Sequence, residues 1–432
     1  TEQFRNPQNA ARPVVASYLG GRGDEVITGA AFLADGSLVL AGYVFGAPFD
    51  FGVREQVLGR DTSPTTFQMP QRRDRPNPPH IWQHRDGASF IVRLSRDNRR
   101  VEQIVRFPWG AGVITDLIND EQGNLYVTGL TGPNFAALPG EFPLRAVDGM
   151  QGNHNAFVAR LHPNLTGFSW GFTLSDEANM TPVMRDIGNG IISWVGRFGH
   201  HISADGRIVK SRALEPVRRW NRGVCFQTLA FATGFERDTN TGWEPWKQPT
   251  LHVRDGDGEV THRLFEWQSH FAGTNWSRLI SDSQARIITY DRNGNLIVGG
   301  WSDGGNSVWT RVGYDITRCV REASREMLGR PTGLPFSTWG AGVGSFAHIN
   351  RIHSETANPI GYTLLASYLL TRNVPNSITL NHIDTTPCNN LLIAGASAWG
   401  LIETGSTRLN NRDAEANDYI GGDFIMILDE DI

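Results

Sequence analysis

Apolar and polar residues alternate along this chain in short runs, each closed by glycine, asparagine or aspartate, and that period-two pattern predicts strands. Val14 to Leu19 alternates as a half-buried strand and ends on a pair of glycines. Ile27 to Ala34 and Ser37 to Val44 then read as a tight hairpin about Asp35-Gly36. A lone strand therefore precedes the first hairpin with no partner beside it in sequence.

The pattern repeats. Hairpin halves read "ITGAAFLADGSLVLAGYV" (27–44), "ITDLINDEQGNLYVTGLTG" (114–132), "IITYDRNGNLIVGGWSD" (287–303) and "SITLNHIDTTPCNNLLIAGASAWG" (377–400), with a degenerate copy at 183–198. Second halves read "SFIVRLSRDNRRVEQIVRFPWG" (89–110), "AFVARLHPNLTGFSWGF" (156–172), "LHVRDGDGEVTHRLFEW" (251–267) and "FAHINRIHSETANPIGYTLLASYL" (346–369). These residues resemble the bacterial SBBP-type β-propeller repeat, in which a hairpin ending in "YVTG" is followed by strands of the "FVARL" and "YSTYLGG" kinds. The resemblance is closest in the first two and last two units and faintest around residues 200–250. That family is defined by fold, so the resemblance implies a propeller and carries over no catalytic residue.

The two ends of the chain complement each other. "GDFIMILDEDI" (422–432) matches the "FVARL" strand and lacks a follower, whereas "VVASYLGG" (14–21) matches the next strand and lacks a predecessor. Joined, they complete a unit, at about 0.2–1 kcal/mol for each cross-strand pair. The expected fold is thus all-β: a six-bladed β-propeller, one domain over 1–432, closed by pairing of the N-terminal and C-terminal strands. A seventh blade fits only if residues 200–250 hold an extra one. A two-sheet sandwich accounts for the strands but not for the matched, incomplete ends.

With strands labelled a to d outward from the axis, the a–b and c–d turns are short, for example "DGS" and "HPNLTG". The b–c connections are long: Phe45 to Ala88, Gly132 to Asn155, Gly304 to Gly344 and Leu401 to Gly421. Loops beyond about 12–15 residues are uncommon unless functional, disordered or separately folded. All four leave by one face, so they predict a loop-rich crown there, with 45–88 and 304–344 as its main insertions. Asp315 as a cap, Ile316, Cys319, Val320, Ala323 and Leu328 on one face, and Gly329 and Pro331 beyond predict a helix over 315–328.

Composition narrows the function without naming it. A formal charge of −4 offers no footprint for nucleic acid. No apolar run approaches the roughly 18–20 residues of a spanning helix. Of the 40 basic residues only Lys210 and Lys247 are lysines. Cys225, Cys319 and Cys388 fit no metal spacing and read as buried free thiols, one disulfide at most. The chain starts at Thr1, and a removed signal peptide is the expectation, placing the protein in a secreted, cell-surface or periplasmic setting.

The chemistry is sparse. There is no "GxSxG" elbow, phosphate loop or dinucleotide fingerprint. His80, His84, His154 and His270 are the candidate metal ligands, but Pro78-Pro79 argues against a helix that would align the first two, and no metal is expected. Calcium is the alternative ion, at 253–261 or 290–295, although both stretches read better as turns. His80, His84, Trp82, Trp276, Trp301, Trp309 and Trp339 lie in or beside the crown and are the candidate ligand-binding residues. Those indoles suit sugar stacking, or packing of the lids on the blades. The expected role is binding or assembly on a glycan, polymer or protein partner. The alternative is a polysaccharide lyase or glycoside hydrolase in the central mouth, and a subunit of a larger assembly is the third reading.

Overall fold

The computed structural model describes residues 13–20, 24–45, 53–62, 87–97, 100–120, 122–145, 153–176, 183–186, 190–195, 198–213, 222–226, 229–237, 247–254, 259–264, 282–303, 311–312, 315–319, 327–328, 345–354, 359–365, 367–369, 374–376, 378–386, 388–397, 409–410 and 422–428. The chain is all-β; the one helical element among these residues is the short 3-10 turn Phe135–Ala137.

Among the described residues, six four-stranded groups follow one another. The first is Asp24–Phe32, Leu38–Phe45, Ala88–Leu94 and Val101–Arg106; the second is Gly112–Asn119, Leu125–Thr131, Asn153–Leu161 and Phe168–Asp176. The third is Val183–Asp186, Gly190–Val195, Phe198–Ser203 and Ile208–Ala213; the fourth is Arg222–Phe226, Leu229–Arg237, Lys247–Arg254 and Glu259–Arg263. The fifth is Ser283–Tyr290, Leu296–Asp303, Ser345–Ile352 and Pro359–Leu365. The sixth runs Ile378–Thr385, Leu391–Ser397 and Gly422–Leu428, and its outer strand is Pro13–Gly20, the lone strand that opens the chain. Strands a to d are named in this order within each meander.

Two compact units emerge: Leu19–Val217 with Ser406–Asp413, holding the first three meanders, and Thr1–Tyr18, Arg218–Gly405 and Ala414–Ile432, holding the rest. Within each unit neighbouring sheets bury their faces together. Strand c of the second meander shows how: Phe157, Ala159 and Leu161 enter the core shared with the first, while Ala156 and Val158 enter the core shared with the third. In the fifth meander, Ile297 likewise faces the sixth while Leu296 and Val298 face the fourth. Burial on both faces explains why these strands read as nearly unbroken apolar runs.

The a–b turns of the first, second, fifth and sixth meanders share one geometry. Asp120 N–H donates to Asn124 O, and Gly123 N–H to Asp120 O; Asp291, Gly294 and Asn295 repeat the pattern. Gly123 and Gly294 sit at φ 78° and 82°, the left-handed backbone that glycine tolerates, and Asn389 takes the place at φ 66° in the sixth meander. The 290–295 stretch is therefore a turn: the Asp291 carboxylate accepts the N–H groups of Asn293 and Asn295 and the Asn295 amide at 2.8–2.9 Å. The arginine of "FVARL"-type strands clamps this turn from strand c, Arg93 on Asp35 at 2.5 Å and Arg351 on Asp291 at 3.3 Å. Where the sixth meander has Ile427 at that position, Arg292 of the fifth reaches across, its Nε donating to Thr386 O at 3.0 Å.

Each long b–c insertion carries a short strand that lies parallel to the outer strand of its own meander. Glu55–Val57 pairs with 104–106, Leu144–Arg145 with 173–174, Met327–Leu328 with 364–365, and Leu409–Asn410 with Leu19 and Gly20. The described part of every insertion thus covers a sheet edge whose N–H and C=O groups would otherwise stand open. The first cover is also held by charge: Arg106, 4% exposed, pairs with Glu55 at 2.5 Å and Asp61 at 3.1 Å.

Two expectations are corrected. The helix over 315–328 is absent from its described part: Asp315–Cys319 is a strand paired antiparallel with Arg311–Val312, and Met327–Leu328 is the edge cover. A run with apolar residues at helical spacing has been claimed by sheet pairing, which packs alternate residues instead. Cys388 is an exposed free thiol rather than a buried one, because it sits at the tip of the 386–390 turn.

Candidate functional site

Four meanders superpose residue by residue in their pairing, which isolates what differs among them. In strand b a glycine faces an aromatic of strand c: Gly42 opposite Phe90, Gly129 opposite Phe157, Gly395 opposite Phe424. A Cβ on these glycines would lie 2.0–2.1 Å from a carbonyl oxygen of strand a (Val26, Val113 or Thr379) and 2.8–2.9 Å from the facing ring, so the glycine of "YVTG" is required first by the close approach of strand a and then by the phenylalanine of "FVARL". In strand a of the same meanders the pairing skips one residue at a matching place, a bulge at Thr28, Thr115 and Asn381. Bulges re-aim a side chain at a chosen point of a strand.

The fifth meander keeps this frame, replaces the phenylalanine, and carries its own residues at two positions that vary among the others. Its glycine is Gly300, but the residue opposite is His348. Its bulged residue is Arg286. The position after the glycine, Tyr43, Leu130 and Ala396 elsewhere, is Trp301. All three positions fall at the same end of one sheet.

Trp301 is half-buried, with the Arg286 guanidinium 5.5 Å and the Lys247 ammonium 6.0 Å from its ring centroid. Cations over an indole are attracted by the ring quadrupole. Lys247 comes from the first residue of strand c of the fourth meander and is fixed by Asp282, which accepts its backbone N–H at 2.8 Å and pairs with its Nζ at 3.6 Å. Arg286 lies 3.4 Å from the Gln284 side-chain oxygen. Ser283 and Ser302, facing each other across strands a and b, share a 2.6 Å hydroxyl hydrogen bond. The Trp301 indole N–H is buried with no hydrogen-bond partner among the described residues.

Behind the indole, His348 is fully buried, and burial pushes its pKa down from 6.5 to about 4. The Asn350 amide is 2.9 Å from its Nδ1 and the Gln284 carbonyl 3.3 Å from its Nε2. That pattern fits a neutral ring with the proton on Nε2, donating to the carbonyl. Such a histidine orients strands a and b beneath Trp301; it does not face solvent. The indole in front of it is half-buried and has two cations within 6.0 Å of its ring centroid.

Of the residues expected to bind ligand, the described ones include only Trp301, and it stands at this site. His80, Trp82, His84, Trp276, Trp309 and Trp339 lie outside the described residues. The elements that distinguish the site, Arg286, Lys247 and His348, escaped the sequence reading. Their signal was available in the internal repeats: "FAHINRI" aligns with "FVARL" through Arg351 and Ile352, which puts His348, not Phe346, at the aromatic position.

Among the described residues no helix is long and apolar enough to cross a membrane. A scan of protein-family models and a search of curated proteins find no match. Among solved structures the chain is similar to a protein of unknown function from Dyadobacter fermentans DSM 18053, with 11% identity and a TM-score of 0.33 over 97% of this chain and 99% of that one. It is also similar to BamB from Moraxella catarrhalis (9% identity, TM-score 0.30, 97% of this chain and 99% of that one). A third likeness is the Pan2 WD40 domain of Neurospora crassa (8% identity, TM-score 0.34, 85% and 86%). At this level of similarity none of the three assigns an activity, ligand or partner to this chain.

Proposed function

We propose that the six meanders are the blades of one SBBP-like β-propeller and that the protein is a binding or assembly module acting in a secreted, cell-surface or periplasmic setting. Six successive four-stranded sheets, neighbours packed face to face within each unit, support the propeller, as does the first strand lying beside the last. The partner is a glycan, engaged at the b–c side of the fifth blade through Trp301.

One observation carries this reading: in the fifth meander the phenylalanine kept by three others is His348, and the bulged Arg286 and Lys247 stand beside the partly accessible Trp301 indole. Tyr, Trp and Arg are the side chains that anchor recognition surfaces. The test is a glycan array probed with the full chain and with Trp301→Ala. The expected result is retention of a defined glycan set by the parent and its loss in the variant, with unchanged thermal unfolding. Equal retention by both proteins, or none by either, would reject the reading.

A further inference from the structure

We infer that the outer strand of the third meander, Ile208–Ala213, takes up an extended acidic segment of a protein partner as a fifth strand. This interaction surface is separate from the glycan reading above and does not depend on it. Three features point to it.

The molecule already adds strands at this place in other sheets. In the first, second and fifth meanders strand d has a bulge near its start, where pairing with strand c skips Glu102, Ser169 and Ile360. The edge cover of each then pairs a few residues further on, at 104–106, 173–174 and 364–365. The third meander has the same bulge at Val209, which sets Ser211–Ala213 where Ile104–Arg106 stand in the first. The bulge does not block addition, because three covers pair beyond one. Yet only two residues separate Val195 of strand b from Phe198 of strand c, too few to supply a cover. Among the described residues nothing pairs with the outer side of Ile208–Ala213. An edge of this kind offers its main-chain N–H and C=O groups to a strand from another chain.

Charge selects the guest. The strand's sequence holds Lys210 and Arg212, two positions apart, and no acid; Lys210 is exposed. Acids at alternate positions of a guest strand match that spacing, whereas a second copy of the same edge would set like charges opposite each other. The first meander shows the pairing in place: its cover brings Glu55 to Arg106 of strand d at 2.5 Å. The fourth meander also ends on a strand without a cover among the described residues, Glu259–Arg263, but its sequence mixes both charges and selects neither.

The edge also carries an apolar contact. Val209 is 60% exposed, against 44% for Leu144, the other large apolar side chain exposed among the described residues, and Leu144 belongs to a cover. A guest strand would remove Val209 from water. Ser211 is tied to His200 Nδ1 at 2.9 Å, so the edge is held in place before a guest arrives, which lowers the ordering cost of binding.

Fluorescence anisotropy with the full chain tests the inference, using labelled hexapeptides that alternate valine with glutamate, with lysine or with serine. The glutamate peptide is expected to bind about tenfold or more tighter than the other two. Lys210→Glu combined with Arg212→Glu should transfer that preference to the lysine peptide, with thermal unfolding unchanged. Methylating alternate backbone amides of the glutamate peptide should abolish binding for one set of amides and spare it for the other, because an added strand pairs through one edge. That measurement uses the parent chain and stands even where the double variant is unstable. No binding of the glutamate peptide, equal binding of all three, a preference unmoved in the folded double variant, or an equal response to the two methylated sets would each overturn the inference. So would sedimentation showing the parent chain dimeric and the double variant monomeric, which would place a second copy on this edge.

Discussion

The first and fifth meanders are built on the same register and do different things with it. In the first, Thr28, Tyr43 and Phe90 close the sheet against its neighbours. In the fifth, Arg286, Trp301 and His348 stand in their places. The glycine between them, Gly42 or Gly300, and the turn clamp, Arg93 or Arg351, are common to both. The lesson is that the scaffold resides in backbone-permitting and turn-holding residues, so the remaining positions are free to acquire chemistry. The equivalent arginines meet carboxylates at different places in the turn, Asp291 where the first meander has Leu33 and Asp35 two residues later, and one pair is buried while the other is part-exposed.

The largest effect should come from the buried clamp. Arg351 is 8% exposed and the Asp291 side chain is wholly buried. Removing one member strands the other charge, a loss of about 3–5 kcal/mol. Arg351→Ala should therefore lower the urea midpoint severely, and Asp291→Asn less, because an amide still supplies an acceptor to the turn. If Arg351→Ala unfolds no more easily than the parent, the turn is not held by this arginine.

Next come the glycines. A methyl group at Gly42 would sit 2.0 Å from the Val26 carbonyl oxygen and 2.9 Å from the Phe90 ring, and one at Gly300 2.0 Å from the Gln284 carbonyl oxygen and 2.7 Å from His348 Nε2. Overpacking of this kind typically costs about 1–3 kcal/mol. Gly42→Ala and Gly300→Ala should be destabilised alike in denaturant titrations, and neither Phe90→Ala nor His348→Ala should restore the loss, because the shortest clash in both is with the backbone of strand a. A tolerant Gly300 beside an intolerant Gly42 would break the equivalence of the two meanders.

The histidine gives the fifth meander a pH dependence that a phenylalanine cannot. In the folded protein His348 takes up a proton only near pH 4, and in the unfolded chain near 6.5. Between those values the unfolded state binds more protons, so the stabilisation is full above about pH 6.5 and is lost as pH falls towards 4. The slope is about 1.4 kcal/mol per pH unit for each such group. His200 in the third meander, also held near 4 by burial, adds a second. Unfolding free energies across pH 4.5–6.5 should fall less steeply in His348→Phe than in the parent, by about one proton's worth. An unchanged slope would mean that the imidazole titrates in place.

Much of this frame was legible because it is written in local pattern: Gly36, Gly123 and Gly294 mark turns, and apolar runs mark strands buried on both faces. The complementary ends at Val14–Gly21 and Gly422–Ile432 declared the pairing of the first strand with the last. The edge covers were not legible, since a two-residue parallel pairing such as Thr173 with Leu144 leaves no periodicity. Nor was the helix error avoidable by pattern alone: Ile316 and Cys319 fit a helical face, yet Cys319 pairs with Arg311 in a hairpin. The site hid for a different reason. Lys247 meets Trp301 from another meander, 54 positions earlier in the chain, and only the fold brings them together. His348 was masked by Phe346, which lies on the same face two residues away and invites a misalignment of the repeat.

The smallest effect should fall on the exposed clamp. Arg93 and Asp35 meet at 2.5 Å, but their side chains are 24% and 32% exposed. The Asp35 pKa is lowered first by the Ser37 hydroxyl, then by the Ser37 N–H, and only afterwards by Arg93. Two local donors, at 2.5 and 2.9 Å, thus hold the carboxylate with or without the arginine. Solvent-exposed pairs are worth about 0–1 kcal/mol, so Arg93→Ala should shift the denaturation midpoint barely at all, whereas Ser37→Ala, which removes the leading donor, should cost more. Both can be read in one titration series beside Arg351→Ala. An Arg93→Ala loss as large as that of Arg351→Ala would show that the clamp's worth is set by geometry and not by burial, and the two meanders would then be equivalent in energy as well as in register.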